Sequence, residues 1–199
     1  PEETQLARAG QAAGPRCEVP HYDIEGLRKH ENTFAPGEHV IITEKIHGMN
    51  GRWIFHEGAL YCGSRNEFKA DSVWNRMAEK YNLAEILAAH PGFVLYGEVY
   101  GKGVQDLTYG IEDQRVVFFD VYDLTAGQWF DVYQFRRFCK VNNLPTAPTL
   151  FEGPFDLAEA YELAEGQTTF TDADHVREGI VIKPASEGRC KFGRRFLKL

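Results

Sequence analysis

Short apolar segments separated by turns constrain the fold of this chain more than any other feature of its sequence. Seven of them have the length and the β-branched or aromatic content of strands. The dipeptide Glu57-Gly58 separates two of these segments and predicts a tight hairpin. The predicted strands are 39–44, 52–56, 59–63, 93–99, 116–122, 179–183 and 194–198. Their spacing predicts a largely antiparallel arrangement.

Helical segments with recognisable N-caps lie between these strands. Each carries apolar residues at helical spacing, which most simply form the core. The predicted helices, with their candidate N-caps, are 71–89 (Asp71), 132–142 (Asp131) and 157–165 (Asp156). Sheets interleaved irregularly with helices indicate an α+β domain. Residues 1–20 are predicted to be a linker or the remnant of an upstream domain, and 21–199 a single domain.

Composition favours a globular protein of the cytoplasm. The chain has 199 residues, of which 43% are hydrophobic, enough for a substantial core. No apolar run is long enough to span a membrane, and the first residues lack the apolar centre of a signal peptide. The four cysteines are scattered without a CxxC pair, so neither a zinc site nor a disulfide framework is indicated. Reduced thiols fit the cytoplasm.

A lysine that closes an apolar strand is the strongest candidate for chemistry. Lys45 follows the predicted strand 39–44, and Gly48 lets the chain turn without a Cβ clash. A lysine at a strand end is more often a solvated charge. However, three further segments also place a charge at the edge of an apolar strand: Cys62-Gly63-Ser64-Arg65-Asn66, Leu95-Tyr96-Gly97-Glu98-Val99-Tyr100-Gly101 and Glu178-Gly179-Ile180-Val181-Ile182-Lys183-Pro184.

Charge is distributed unevenly along the chain. The net charge of −7 is unusual for an enzyme of nucleic acids, because phosphate binding normally uses a basic face. From Lys183 to Leu199, however, there are six Lys or Arg and one acid. These charges alternate with apolar residues such as Phe192 and Phe196, which predicts a phosphate-facing strand; a solvated tail is the alternative.

Together with Val116–Tyr122, the charged segments resemble in order the motifs of the covalent nucleotidyltransferases, which comprise ATP-dependent DNA ligases, RNA ligases and messenger-RNA capping enzymes. The resemblance runs from about Tyr22 to Leu199. Lys45-Ile46-His47-Gly48, followed by Asn50, is similar to the nick-sealing RNA ligases of the Deinococcus type, whereas DNA ligases and capping enzymes typically have aspartate in place of the histidine.

The resemblance implies an ATP-grasp-like nucleotidyltransferase (adenylation) domain of two packed, mostly antiparallel β-sheets flanked by helices. It also implies an N-terminal oligonucleotide-binding domain that is absent from this chain. In the implied reaction Lys45 attacks the α-phosphate of ATP, AMP passes to a 5′-phosphate, and a 3′-hydroxyl seals the nick. The implied cofactors and partners are ATP, Mg²⁺ or Mn²⁺, and nicked RNA or an RNA-containing duplex bound by a monomer. A DNA ligase, a capping guanylyltransferase and an inactive binding module remain alternatives.

The resemblance also assigns roles to residues. The implied catalytic residues are Lys45, His47, Arg65, Glu98, Glu178, Lys183 and Lys198. The implied nucleotide-binding residues are Glu44, Lys45, Asn50, Arg65, Glu98, Phe119, Val181, Lys183 and Lys198, and the implied metal-binding residues are Glu98 and Glu178. Two acids with oxygen ligands suit a largely hydrated magnesium ion.

Two details of the motifs refine these expectations. Phe119 corresponds to the aromatic residue that stacks on adenine, with Val181 on the other face of the base; core packing is the alternative for Phe119. Phe118 is predicted to be core, because adjacent strand residues face opposite sides. The last family motif usually has two lysines separated by one residue, whereas here Phe196 stands two positions before Lys198.

The segment 101–110 is glycine-rich, but it lacks the ending of a phosphate-binding P-loop. It is therefore expected to be a loop near the site.

Overall fold

Two five-stranded sheets organise the chain in the computed structural model, which describes residues 10–199. The strands are β1 (Glu25–Gly26), β2 (His39–Lys45), β3 (Met49–His56), β4 (Ala59–Gly63), β5 (Phe93–Gly101), β6 (Gln114–Asp123), β7 (Gln128–Trp129), β8 (Thr149–Pro154), β9 (Gly179–Pro184), β10 (Arg189–Cys190), β11 (Gly193–Arg194) and β12 (Leu197–Lys198). The helices are α1 (Val73–Lys80), α2 (Leu83–Ala88), α3 (Val132–Val141) and α4 (Leu157–Ala164), preceded by 3-10 turns at Leu27–Lys29 and Glu31–Thr33.

The topology is almost entirely antiparallel. The first sheet has the strand order β1-β12-β9-β2-β8, and the second has the order β4-β3-β5-β6-β7. Only β1 and β12 pair in parallel within these sheets. A small hairpin joins β10 and β11. The expected α+β domain of two mostly antiparallel sheets is therefore confirmed.

Each sheet buries one face against helices, which leaves the other two faces directed at each other. Trp53 and Phe118 of the second sheet share a core with α1 to α3. On the first sheet, Ile42 and Ile180 share a core with α4. Because side chains alternate along a strand, the neighbours of Ile42 on β2 and of Ile180 on β9 face the second sheet. The space between the sheets is where the functional side chains of β2 and β9 lie.

Several sequence predictions hold in detail. Glu57 and Gly58 both have positive φ, at 47° and 82°, as the tight hairpin turn between β3 and β4 requires. Asp131 and Asp156 accept hydrogen bonds from backbone amides in the first turns of α3 and α4. Phe118 is fully buried, as predicted from the alternation of β6.

The predicted helix 71–89 is wrong as a single helix. It divides into α1 and α2 at Asn82, whose φ of 55° is left-handed and ends the helical hydrogen-bond ladder. The N-cap is Ser72, which forms a capping box with Asn75, whereas Asp71 itself has a left-handed φ of 50°. Apolar spacing continues through the break, so the periodicity did not reveal it.

The C-terminal prediction also needs correction. Residues 194–198 do not form one strand. Arg194 pairs with strand β10, which ends at Cys190, whereas Leu197 and Lys198 pair with β9. Strand β8 was not predicted at all. Its Glu152, Gly153 and Pro154 interrupt the apolar pattern, and it lies at a sheet edge where a proline is tolerated.

The N-terminal prediction falls partly outside the described residues, since these begin at residue 10. Of the predicted linker, Gln11 forms a bridge with Lys69, and Val19 is buried against the second sheet. The division of the chain at residue 20 stays a prediction. No helix in the described part of the chain has the length and apolar character needed to cross a membrane.

Candidate active site

A cavity of about 570 Å³ lies between the two sheets. Strands β2, β9 and β12 form one wall, β3, β5 and β6 form the other, and the segment Tyr22–Glu25 closes one side. Nine of the residues proposed from sequence line it: Glu44, Lys45, Asn50, Arg65, Glu98, Phe119, Val181, Lys183 and Lys198. The other two lie beside the cavity: Glu178 contacts Lys45, and His47 contacts Glu178.

Lys45 ends β2 with its side chain directed into this cavity. It alternates with Ile41 and Thr43, which also line the cavity, while Ile42 faces the core. Its Nζ atom donates to Oε1 of Glu178 at 2.5 Å. Backbone register explains the contact, because Lys45 pairs with Gly179, the neighbour of Glu178. The amine is thus held by a carboxylate that can take up its proton.

Glu98 approaches Lys45 from the opposite sheet. It lies on β5 across from Asn50, and it is half-buried at the cavity wall. Burial raises the pKa of the Glu98 carboxyl to about 8, and Glu178 adds to the rise while Lys45 and the Gly48 backbone oppose it. A Cβ at position 48 would lie 2.1 Å from the Val99 carbonyl oxygen, so glycine is required for this close approach of the two strands.

The raised pKa of Glu98 predicts that this carboxyl contributes less to the stability of the ligand-free protein as the pH rises. In the unfolded chain this carboxyl ionises near pH 4.5, but in the folded chain it does so only near pH 8. Between these values the folded state holds a proton that the unfolded state releases. The contribution of Glu98 to the free energy of unfolding is therefore highest below pH 4.5, falls across this window and levels off above about 8.

Thermal melting at a series of pH values checks this expectation. The Glu98→Gln variant cannot ionise at this position, so its melting temperature should depend less on pH across the same window. A variant profile as steep as that of the parent protein would contradict the burial of a proton-holding Glu98.

Asn50 presents an unsatisfied acceptor at the cavity. Its Oδ1 atom is buried and has no hydrogen-bond partner among the described residues, whereas its backbone oxygen accepts from Nε1 of Trp74 at 3.1 Å. A buried polar atom without a partner costs free energy unless a ligand or water satisfies it. Asn50 is therefore placed to accept a hydrogen bond from a bound molecule.

Residues of the glycine-rich loop that follows β5 hold His47 in place. Its Nε2 atom lies 2.7 Å from Oδ1 of Asp106, and its backbone amide donates to Oη of Tyr109 at 2.7 Å. Its Nδ1 atom lies 3.8 Å from Oε1 of Glu178. The loop 101–110, which was expected near the site, thus orients the histidine next to the Lys45–Glu178 pair.

Phe119 of β6 and Val181 of β9 line the cavity from different sheets. Phe119 is half-buried, and its ring lies 4.7 Å from that of Tyr22, whereas its neighbour Phe118 is in the core. A flat aromatic face opposite a branched aliphatic side chain forms a slot that suits a planar base. The stacking role of Phe119 remains a proposal.

Lys183 is the most deeply buried cation of the cavity. Its Nζ atom donates to Oδ2 of Asp120 at 2.7 Å and to the Phe119 carbonyl at 2.8 Å. Asp120 was missed by the sequence analysis. The available signal was an aspartate inside the apolar strand β6, because a buried carboxylate requires cationic or hydrogen-bonding partners.

The remaining proposed residues differ in their surroundings. The guanidinium of Arg65 pairs with Asp23 at the exposed rim, and Lys198 is exposed on β12. Glu44 is only 1% exposed, and its carboxylate accepts hydrogen bonds from the side chain of Thr168 and from the amide and hydroxyl of Thr169. Its side chain therefore anchors the segment before β9.

The expectation of a phosphate-facing C-terminal strand is largely wrong. Arg194 is turned inward to Asp120 and Glu187, and Arg195 pairs with Glu38. Acidic side chains therefore compensate both arginines. Arg136 of α3, which the sequence analysis left without a role, lines the cavity. It pairs with Glu152 at 2.7 Å and donates to Oγ1 of Thr149 at 3.1 Å.

A divalent metal fits the pair of acids beside Lys45. No cluster of three or more His, Cys, Asp or Glu side chains with metal-binding geometry occurs among residues 10–199. Glu98 and Glu178 nevertheless both place a carboxyl group near the Lys45 amine. Magnesium commonly keeps several waters and takes only one or two carboxylates together with substrate phosphates. The donor set therefore suits a hydrated ion that a phosphate ligand helps to hold.

Comparisons with known proteins assign a family to this domain of two sheets and a lysine-bearing cavity. A family model described as RNA ligase matches residues 38–199, and this chain belongs to that family. A search of curated protein sequences found no match.

Solved structures of an RNA ligase from Naegleria gruberi share the fold. A variant without ligands superposes with a TM-score of 0.83 at 19% identity, covering 100% of this chain and 60% of that chain. A variant with ATP and Mn gives 0.83 at 17%, covering 100% and 61%, and another with AMP and Mn gives 0.83 at 17%, covering 100% and 60%. This chain thus spans about three fifths of the Naegleria protein, and the identity supports likeness of fold alone.

Proposed function

We propose that this chain is the adenylyltransferase domain of an ATP-dependent RNA ligase. The observation that carries the proposal is the Lys45 amine, held 2.5 Å from a carboxylate oxygen of Glu178 at the wall of a cavity large enough for a nucleotide. Membership of the RNA ligase family supports it, as does the fold shared with a ligase whose structures contain ATP, AMP and Mn.

The proposed first step transfers AMP to Lys45. Glu178 takes the proton from the ammonium, and the free amine attacks the α-phosphate; the new P–N bond forms as the bond to pyrophosphate breaks. Adenine occupies the slot between Phe119 and Val181. Lys183 and Arg65 face the phosphates and balance the charge that develops as pyrophosphate leaves.

Mg²⁺ or Mn²⁺, held by Glu98 and Glu178, supplies further neutralisation of phosphate charge when bound. Lys198 and His47 lie on the phosphate side of the amine in this proposal, where they contact pyrophosphate or the nucleic acid. Asn50 Oδ1 accepts a hydrogen bond from the nucleotide, which removes its unsatisfied state.

The second and third steps complete the ligation. The 5′-phosphate of a nick attacks the AMP phosphorus and releases Lys45; a 3′-hydroxyl then attacks the activated 5′-phosphate and releases AMP. The proposed substrate is a nicked RNA or RNA-containing duplex, and the proposed setting is RNA repair by a cytoplasmic monomer. The four free cysteines agree with a reducing compartment.

Labelling with two nucleotides tests the proposed activity. The protein is incubated with Mg²⁺ and either ATP or GTP labelled on the α-phosphate, and is then separated by denaturing electrophoresis. Label retained from ATP but not from GTP is the expected result. Label from GTP alone would identify a capping-type guanylyltransferase, and no label from either nucleotide would indicate a binding module without turnover.

A further inference from the structure

Three hydrogen-bond donors converge on one buried carboxylate oxygen beside the cavity. Oδ2 of Asp120 accepts from Oη of Tyr22 at 2.6 Å, from Nζ of Lys183 at 2.7 Å and from Nη1 of Arg194 at 2.6 Å. Asp120 is only 1% exposed. Burial alone would raise the pKa of this carboxyl, but the charges of Arg194 and Lys183 hold it below its ordinary value. The carboxylate is therefore charged and shared between two cations.

The contact with Asp120 also determines how many N–H groups of Lys183 remain for a ligand. The ammonium has three N–H groups. One of them donates to Asp120 and another donates to the Phe119 carbonyl. These two contacts set the direction of the third N–H group. Lys183 lines the cavity. Its orientation toward the cavity thus depends on where the Asp120 carboxylate is held.

Arg194 is itself held rigidly, although it does not line the cavity. Its Nη2 and Nε atoms donate to the two oxygens of Glu187 at 2.5 and 2.9 Å. Its guanidinium carbon lies 4.3 Å from the ring centre of Trp129 and 4.6 Å from that of Phe196. The bidentate ion pair and the two aromatic faces fix the planar guanidinium in place. The carboxylate that it binds is therefore held in a fixed position as well.

We propose that Arg194 is a positioning residue that orients the Lys183 ammonium toward the cavity through the shared Oδ2 atom of Asp120. The inference rests on the proposed function, since it assigns Lys183 to the phosphates of ATP. Without Arg194, the charge of Asp120 is matched by Lys183 alone. The carboxylate and the ammonium then form a closer pair, and less positive charge is available to the nucleotide.

Replacing Arg194 by methionine tests the proposal, with Arg195→Met as the matched control. Arg195 is the adjacent residue and is also ion-paired, but its partners are Glu38 and the Thr33 carbonyl, away from the cavity. The rate of AMP attachment is measured against ATP concentration, and folding is followed by thermal melting. We expect the KM for ATP to rise about tenfold to a hundredfold in Arg194→Met, as for loss of a charge-assisted contact. Arg195→Met should retain the parental KM.

The measurements separate positioning from a merely structural role. A structural role lowers the fraction of protein that accepts AMP without changing the KM of the rest; that outcome, or a parental KM in folded Arg194→Met, would overturn the proposal. Arg194→Lys retains the charge on Asp120 and should recover part of the lost affinity.

If Arg194→Met does not fold, Tyr22→Phe removes a different donor from the same oxygen and should raise the KM to a smaller extent. An unchanged KM in Tyr22→Phe would then count against the proposal. Failure of the parent protein to accept AMP would instead refute the proposed function, and the inference with it.

Discussion

Alanine in place of Lys45 is expected to abolish the attachment of AMP, reducing its rate by about a thousandfold or more. The reason is that, among residues 10–199, Lys45 is the amine that contacts Glu178 and interacts with Glu98, so loss of Nζ removes the atom that forms the bond to phosphorus. The fold should survive, because the side chain of Lys45 is 28% exposed and that of Glu178 is 31% exposed. A single-turnover assay with labelled ATP measures the rate, and thermal melting verifies folding.

Two further variants sharpen this experiment. Lys45→Arg keeps a positive charge but offers a guanidinium that stays protonated, so it should be as inactive as the alanine variant. Lys140→Ala removes an exposed lysine of α3 outside the cavity lining and should accept AMP at the parental rate. Labelling retained by folded Lys45→Ala would show that another residue is the nucleophile.

Glutamine in place of Glu98 is expected to give the second large loss, about a hundredfold or more in the rate of AMP attachment. The change keeps the shape of the side chain but removes the acidic group near Lys45 that can ionise when the proposed metal binds. Glu178 is not expected to replace it, since Glu178 already accepts the hydrogen bond from Lys45 and has its own place in the proposed metal site. The loss should be assayed over a range of Mg²⁺ concentrations, because weaker metal binding shifts the dependence to higher concentration.

Stability distinguishes a functional loss from misfolding in this variant. Burial disfavours the charge of Glu98, so the neutral glutamine should leave the melting temperature unchanged or higher at alkaline pH. Glu112→Gln is the matched control, because Glu112 is 87% exposed and pairs only with Lys102 at the surface. Parental activity in folded Glu98→Gln would remove this carboxylate from the proposed mechanism.

Local sequence pattern predicted the strands that position the site. Alternation along β6 placed Phe118 and Phe119 on opposite faces, and the glycine after Lys45 correctly marked the end of β2. Both features follow from residues close in sequence, but the choice of Phe118 for the core came from the family resemblance, which gave Phe119 to the base. The role of Glu98 needed the family resemblance, since an isolated glutamate at a strand end is more often solvated.

Features that depend on contacts between distant segments were not predictable in this way. Asp120 contacts residues 98, 63 and 74 positions away in sequence, namely Tyr22, Lys183 and Arg194. Sequence alternation therefore assigned Arg194 to a phosphate-facing strand, although tertiary contacts turn it inward. The helix break at Asn82 was missed for a related reason, because a left-handed residue leaves the apolar spacing intact.

Mass spectrometry of the protein after incubation with ATP and Mg²⁺ tests the central claim most directly. The account predicts that the intact protein gains one AMP, that peptide mapping places it on Lys45, and that Lys45→Arg gains none. An unchanged mass in the folded parent protein, or AMP on a different residue, would contradict the account.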